Sequence, residues 1–168
     1  MATITELRAL ARARLKDAQI LFAAKRYDAA TYLCGYAVEL ALKARIGKTL
    51  KWTTFPETNK EFIRLTCEIA EKYLKSKRFS KLYDINPNDF CGVYQMYFQN
   101  PRFLKVHELE TLLKFSGIVK KVKVHYYAEW TLVSNKWSSE NRYKKIGTET
   151  QLTAQAMLNA VKKLLTIL

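Results

Sequence analysis

The chain has 168 residues, long enough to bury a real core and most simply read as one domain. Glycine and proline are scarce at five and three, and 49% of residues are apolar, which excludes a disordered or low-complexity chain. Twenty-nine Lys plus Arg against 15 Asp plus Glu leave a formal charge of +14. That surplus suits a polyanionic partner such as RNA, DNA or a nucleotide, although a lysine-rich surface on a soluble protein would produce it too.

The N-terminus, MATITELRALARARLK, has no continuous apolar stretch of the signal-peptide kind, and nothing later approaches the about 18 apolar residues of a membrane span. Cys34, Cys67 and Cys91 are isolated, with no CxxC pair and no Cys/His cluster, so a structural metal site is not expected. An odd number of thiols without a leader fits a reducing cytoplasm.

Thr3 and Glu6 have the spacing of a capping box, opening a helix that should run to about Lys25. Leu7, Ala11, Leu15, Ala18 and Phe22 form its apolar stripe, while Arg8, Arg12 and Lys16 form a basic row on another face. That row is either a solvated face or a phosphate-contact ridge. Arg26, Tyr27 and Asp28 read as a tight turn, with Asp28 as N-cap of the next helix.

The following stretch, RYDAATYLCGYAVELALKARIGKTL, is the centre of the chain. Ala30, Leu33, Ala37, Leu40 and Ala44 recur at three and four, and Cys34, Ala41 and Leu42 widen that face. A helix apolar around most of its circumference belongs in the middle of other helices, and its small residues let them approach. A narrower strip carries Tyr32, Tyr36, Glu39 and Lys43, the last two in the favourable order for a helical ion pair. Gly47 is expected to end the helix, which should pair with its predecessor as an antiparallel hairpin.

Residues 51 to 56 read as a connection. Thr58 and Glu61 form a second capping box, for a helix to about Ser76 with Phe62, Leu65, Ile69 and Tyr73 on one face. Lysines then concentrate (Lys72, Lys75, Lys77, Lys81). Residues 82–101 mix aromatics with the breakers Asn86-Pro87 and Asn100-Pro101 around a short helix at about Asn88 to Gln99. These rings either close a small core or stack bases.

KVHELETLLKFSGI, residues 105–118, reads as a helix with Leu109, Leu112, Leu113 and Phe115 inward and Gly117 at its end. VKKVKVHYYAEWTLV starts with strand-like alternation, but a lone strand does not persist, so a helix is expected; His125 follows three lysines there. Residues 134–146 read as a loop. A last helix should begin near Thr148 or Thr150, with Leu152, Met157, Val161, Leu164 and Leu168 facing the core.

Three of these segments resemble one family. YDAATYLCGYAVELALKARI is similar to the second helix of HEPN domains (higher eukaryotes and prokaryotes nucleotide-binding domains), HELETLL to a later helix start, and Trp137 followed by Glu140, Arg142 and Tyr143 to the stretch before the last helix. The resemblance covers about residues 5–50 and 105–168 and implies an all-α, up-and-down helical bundle with a central antiparallel helix pair and a helical insertion at about 48–104. It also implies a homodimer, and a nucleotidyltransferase-type protein partner within a prokaryotic defence or toxin–antitoxin system.

Ribonucleases of this family carry an Arg, four to six residues, then a His. Attack by a 2′-hydroxyl needs a proton acceptor and a cation that holds the phosphate as charge builds. Arg102 and His107 match that spacing here. The flanking sequence favours His107 as the start of the HELETLL helix, since Pro101 places Arg102 at the beginning of a segment and not deep in a helix, and no His follows Arg142. Without catalysis, Glu39, Lys43, His107, Trp137, Arg142 and Tyr143, all in family-like segments, would line one polar cleft that takes a nucleotide or RNA. There Lys and Arg would hold phosphate and Trp or Tyr would stack a base.

There is no GxxxxGK[ST] or GxGxxG loop, no HExxH and no GxSxG, and no cofactor is implied. The expected function is a non-catalytic nucleotide- or RNA-binding module. Its alternatives are a metal-independent endoribonuclease using Arg102 and His107, and a protein-interaction scaffold.

Overall fold

The computed structural model describes residues 2–56, 58, 61, 64–65 and 107–168, and the fold is all-α. Arg102, Cys67, Cys91, the aromatic stretch 82–101, the short helix expected at 88–99 and most of the helix expected to run to 76 lie outside the described residues. Six α-helices are described: α1 (Ile4–Ala23), α2 (Tyr27–Thr49), α3 (Leu109–Phe115), α4 (Val119–His125), α5 (Tyr127–Lys136) and α6 (Gln151–Leu165), with a 3-10 turn at Ser139–Tyr143.

α1 starts where its sequence dictates. The Thr3 hydroxyl accepts the Glu6 amide at 3.1 Å, and the Glu6 carboxylate accepts the Thr3 amide at 2.7 Å, completing the capping box. Leu7, Ala11 and Ala18 are buried, with Leu15 and Phe22 packed at the core's edge. The turn to α2 is Ala24 to Arg26, one or two residues earlier than expected, with Lys25 at φ 60. α2 then returns along α1, so that Gly47 near its end lies against Ile4 at the start of α1. A Cβ at Gly47 would fall 2.0 Å from the Ile4 Cδ1. Gly47 therefore serves close approach and does not stop the helix, which continues to Thr49. The N-terminus is tied to the chain leaving α2 by Ile4 N to Thr53 O (3.2 Å) and Phe55 N to Ala2 O (3.0 Å).

α2 is the hub: α1, α3, α6 and the 3-10 turn all pack on it. Thirteen of its residues are buried, from Ala30 to Gly47, which is the signature of a helix covered on nearly every side. Alanine and glycine at Ala30, Gly35, Ala37, Ala41, Ala44 and Gly47 make this possible, because neighbours can come in over a bare backbone. α3 is anchored by Leu109, Leu112, Leu113 and Phe115 and by the Thr49 hydroxyl donating to Ser116 O at 3.0 Å. Gly117 follows α3 with φ 72, the left-handed closure that its position anticipates.

Residues 119–136 are helical, in two pieces broken at Tyr126 (φ −135, ψ 25). The alternating Val122 and Val124 do not make a strand, since Val122 is buried and Val124 exposed on the α4 surface. Helix and 3-10 turn occupy much of the expected 134–146 loop. α6 begins with Thr150 as N-cap, its hydroxyl accepting the Thr153 amide at 3.2 Å. Met157, Val161 and Leu164 are buried as expected, but Leu152 is 80% exposed. Leu152 stands five residues before Met157, about 140° around the helix from the buried stripe of Ala154, Met157, Val161 and Leu164, and its outward direction corrects the sequence reading.

Candidate functional site

Three of the six expected site residues meet. Glu39, on the side of α2 that faces α3, is 1% exposed. Its carboxylate accepts the Lys43 ammonium at 2.6 Å and the His107 Nδ1–H at 3.0 and 3.1 Å. Lys43 reaches it from one turn along the same helix, and His107 arrives from the residue pair preceding α3. A buried carboxylate is stable only when its lone pairs are met, and here a cation and an imidazole meet them. Holding Nδ1 on the carboxylate fixes the ring's orientation and turns Nε2 away from Glu39. His107 is half exposed, so that nitrogen can reach a ligand, whereas Lys43 is spent on Glu39 and lies 6.0 Å from the Phe55 ring centre.

Beside His107 opens a cleft of about 460 Å³, lined by His107, Glu108, Leu109, Glu110, Ser134, Trp137, Ser138 and Ser139. Trp137 forms part of it but cannot stack a base in the expected way. Its ring is buried over Gly35, where a Cβ would sit 2.0 Å from the indole Cγ, and its Nε1–H donates to Tyr32 O at 3.0 Å. Trp137 is a wall that joins α5 to α2. The charges in the cleft also differ from expectation. Glu108 accepts the Thr111 hydroxyl at 2.7 Å, and Glu110 accepts the Trp130 indole N–H. Neither Lys nor Arg lines the cleft among the described residues.

Arg142 and Tyr143 stand apart from this cleft wall. They close the 3-10 turn, with the Arg142 guanidinium 5.0 Å over the Tyr143 ring and Tyr143 72% exposed. Lys144 and Lys145 follow, also exposed. The turn is fixed to the end of α5 by the Asn141 side-chain amide donating to Lys136 O at 2.7 Å.

Beyond the turn, the chain is held by a residue whose role the sequence reading misassigned. Asp28 is not the N-cap of α2, a position taken by Arg26. From the first turn of α2 its carboxylate accepts the amides of Gly147 (2.9 Å), Thr148 (2.9 Å) and Glu149 (3.0 Å) and the Thr148 hydroxyl (2.9 Å). These bonds, the Gly147 amide foremost, hold the Asp28 carboxyl below its ordinary range. Asp28 in its loop-like position looked like a cap because the 147–149 segment it serves is 119 residues away in sequence. Glu108, Glu110 and the three serines were also missed. Only Glu110 left a signal, since a buried tryptophan such as Trp130 needs an acceptor for its N–H.

No helix among the described residues is long and apolar enough to cross a membrane. No group of three or more His, Cys, Asp or Glu that could hold a metal ion occurs among them. The family model of the HEPN domain matches residues 4–85, which include α1, α2 and the Glu39–Lys43 pair and stop short of His107. No curated protein and no solved structure matches the chain.

Proposed function

We propose, on the premise that this chain belongs to the HEPN domain family, that it is a non-catalytic module that binds RNA or a nucleotide. A HEPN domain supports a nucleotide- or RNA-related role in general. The observation that carries the narrower reading is the distribution of charge. Beside the cleft, exposed cations and a ring occur together at Arg142, Tyr143, Lys144 and Lys145, while the described wall of the cleft holds two glutamates and no cation.

Arg142 covers one face of Tyr143 and leaves the other for a base, and its guanidinium can fork onto a phosphate. His107 supplies an outward ring nitrogen, with Glu39 and Lys43 as positioning residues behind it and Trp137 as the wall. A phosphoryl group gathering negative charge beside Glu108 and Glu110 would be opposed by them, which argues against turnover in the cleft. Fluorescence anisotropy with labelled RNA and with nucleotides, in EDTA and at two salt concentrations, tests this. Salt-sensitive binding without cleavage is expected, weakened by about tenfold or more in Arg142→Ala/Tyr143→Ala. Unchanged affinity in that variant would refute it.

One observation favours a second reading, metal-independent ribonuclease activity. The Glu39–His107 contact has the geometry that orients a general base. His107 Nε2 would take the 2′-hydroxyl proton as that oxygen attacks phosphorus, the P–O5′ bond would break to leave a 2′,3′-cyclic phosphate, and the departing 5′-oxygen would take a proton from water, with Arg102 as the cation for the phosphate. RNA cleavage in EDTA, lost in both His107→Ala and Arg102→Ala, would establish it. The homodimer, the nucleotidyltransferase-type partner and the defence or toxin–antitoxin setting belong to the first reading and are tested by solution mass and co-purification. A scaffold role would be left if neither RNA nor nucleotide bound.

A further inference from the structure

We infer that the ligand is a single-stranded polynucleotide and not a mononucleotide, because a second basic and aromatic surface lies at the junction of α4 and α5, at the other end of α5 from the turn that carries Arg142 and Tyr143. The inference rests on the nucleic-acid reading above and sharpens it.

The second surface is Lys120, Lys121, Lys123, His125 and Tyr127, all exposed, with Tyr127 at 64%. None of these lysines has an ion-pair partner among the described residues, and no acidic residue occurs from Val119 to Ala128. The first acid after them, Glu129, is already neutralised by Lys163 at 2.7 Å. Val122, on the opposite side of α4, is buried and fixes the helix so that the lysines stay outside. An imidazole and a phenol ring among three cations offer stacking faces and phosphate contacts together. Apart from Val124 the patch has no large exposed aliphatic side chain, which suits bases and phosphates better than an acidic polypeptide.

The spacing excludes one small ligand. Tyr127 begins α5 and Lys136 ends it, and Asn141 ties the Arg142–Tyr143 turn to Lys136 O. Ten helical residues span about 15 Å along α5, against about 3.4 Å per stacked nucleotide step, so a strand that follows α5 covers roughly four steps between Tyr127 and the end to which the turn is tied. A strand can bridge them; a mononucleotide cannot.

The test uses the full chain with a labelled twelve-residue oligouridylate and with UMP, over a salt series. Two variants are compared with wild type: Tyr127→Ala, and Lys120→Glu/Lys121→Glu/Lys123→Glu, each checked for an unchanged circular dichroism spectrum. Oligouridylate affinity should fall about tenfold or more in both, and the triple variant should flatten the salt slope by about two units. UMP binding should not change. If Arg142→Ala/Tyr143→Ala weakens oligouridylate binding while the α4–α5 variants do not, the inference fails and the proposed function stands. If wild type binds neither probe, both fail. Binding of a polyglutamate peptide but not oligouridylate, lost in the triple variant, would assign the surface to an acidic protein and overturn the inference.

Discussion

Replacing Gly35 by alanine adds one methyl group at the most crowded point on α2. The new Cβ would lie 2.0, 2.1 and 2.6 Å from Cγ, Cδ1 and Cδ2 of Trp137. Carbon atoms pack at about 3.5–4.0 Å, so the overlap is too large for a small tilt and the indole must leave its place. Trp137 is buried in the main core and bonded to Tyr32 O, and emptying such a site costs about 3–5 kcal/mol. Alanine returns about 1 kcal/mol through helix propensity, leaving a net loss of about 2–4 kcal/mol. Urea unfolding followed by circular dichroism should show the midpoint lowered by about 1–2 M at an ordinary denaturant slope. The same substitution in a Trp137→Ala background removes the clash and should be neutral or slightly stabilising. A Gly35→Ala protein as stable as wild type, or an equal loss in both backgrounds, would refute the packing argument.

Asp28→Ala should lower stability by about 1–2 kcal/mol near neutral pH, since four donors lose a charged acceptor. The folded carboxyl titrates below its ordinary 3.8, so the unfolded chain binds the proton first as pH falls. The contribution is thus complete above about pH 4–5 and lost on acidification through the folded value, and acid titration of wild type and Asp28→Ala should converge there. Cys34, whose thiol burial pushes up to about 12, should resist alkylation at pH 8 in the folded protein and react on unfolding, read by peptide mass mapping.

Periodicity made most of the fold legible. The run from Ala29 to Ile46 could only be a hub helix, because no single amphipathic face accounts for so many small and apolar residues, and the structure buries it accordingly. The Glu39–Lys43 pair was equally readable, since four residues on one helix set the distance themselves. The capping boxes at Thr3 and Thr58 followed from spacing alone. Leu152 misled because a leucine near a helix start reads as part of the core stripe, although its spacing of five from Met157 puts it on another face. Trp137 misled because an aromatic in a family-like site segment has no visible mark of being a core wall; Gly35, 102 residues earlier, was the mark.

Local interactions therefore decided which segments became helices, where several of them start, and which face of each is apolar, since those depend on neighbours three or four residues away. Long-range packing decided the rest: that Asp28 grips residues 147–149, that His107 lands on Glu39, and that Arg142 and Tyr143 stay outside the cleft. Such pairings join residues 68 to 121 positions apart. They come from how α3 and α6 pack on α2, an arrangement that no local pattern records.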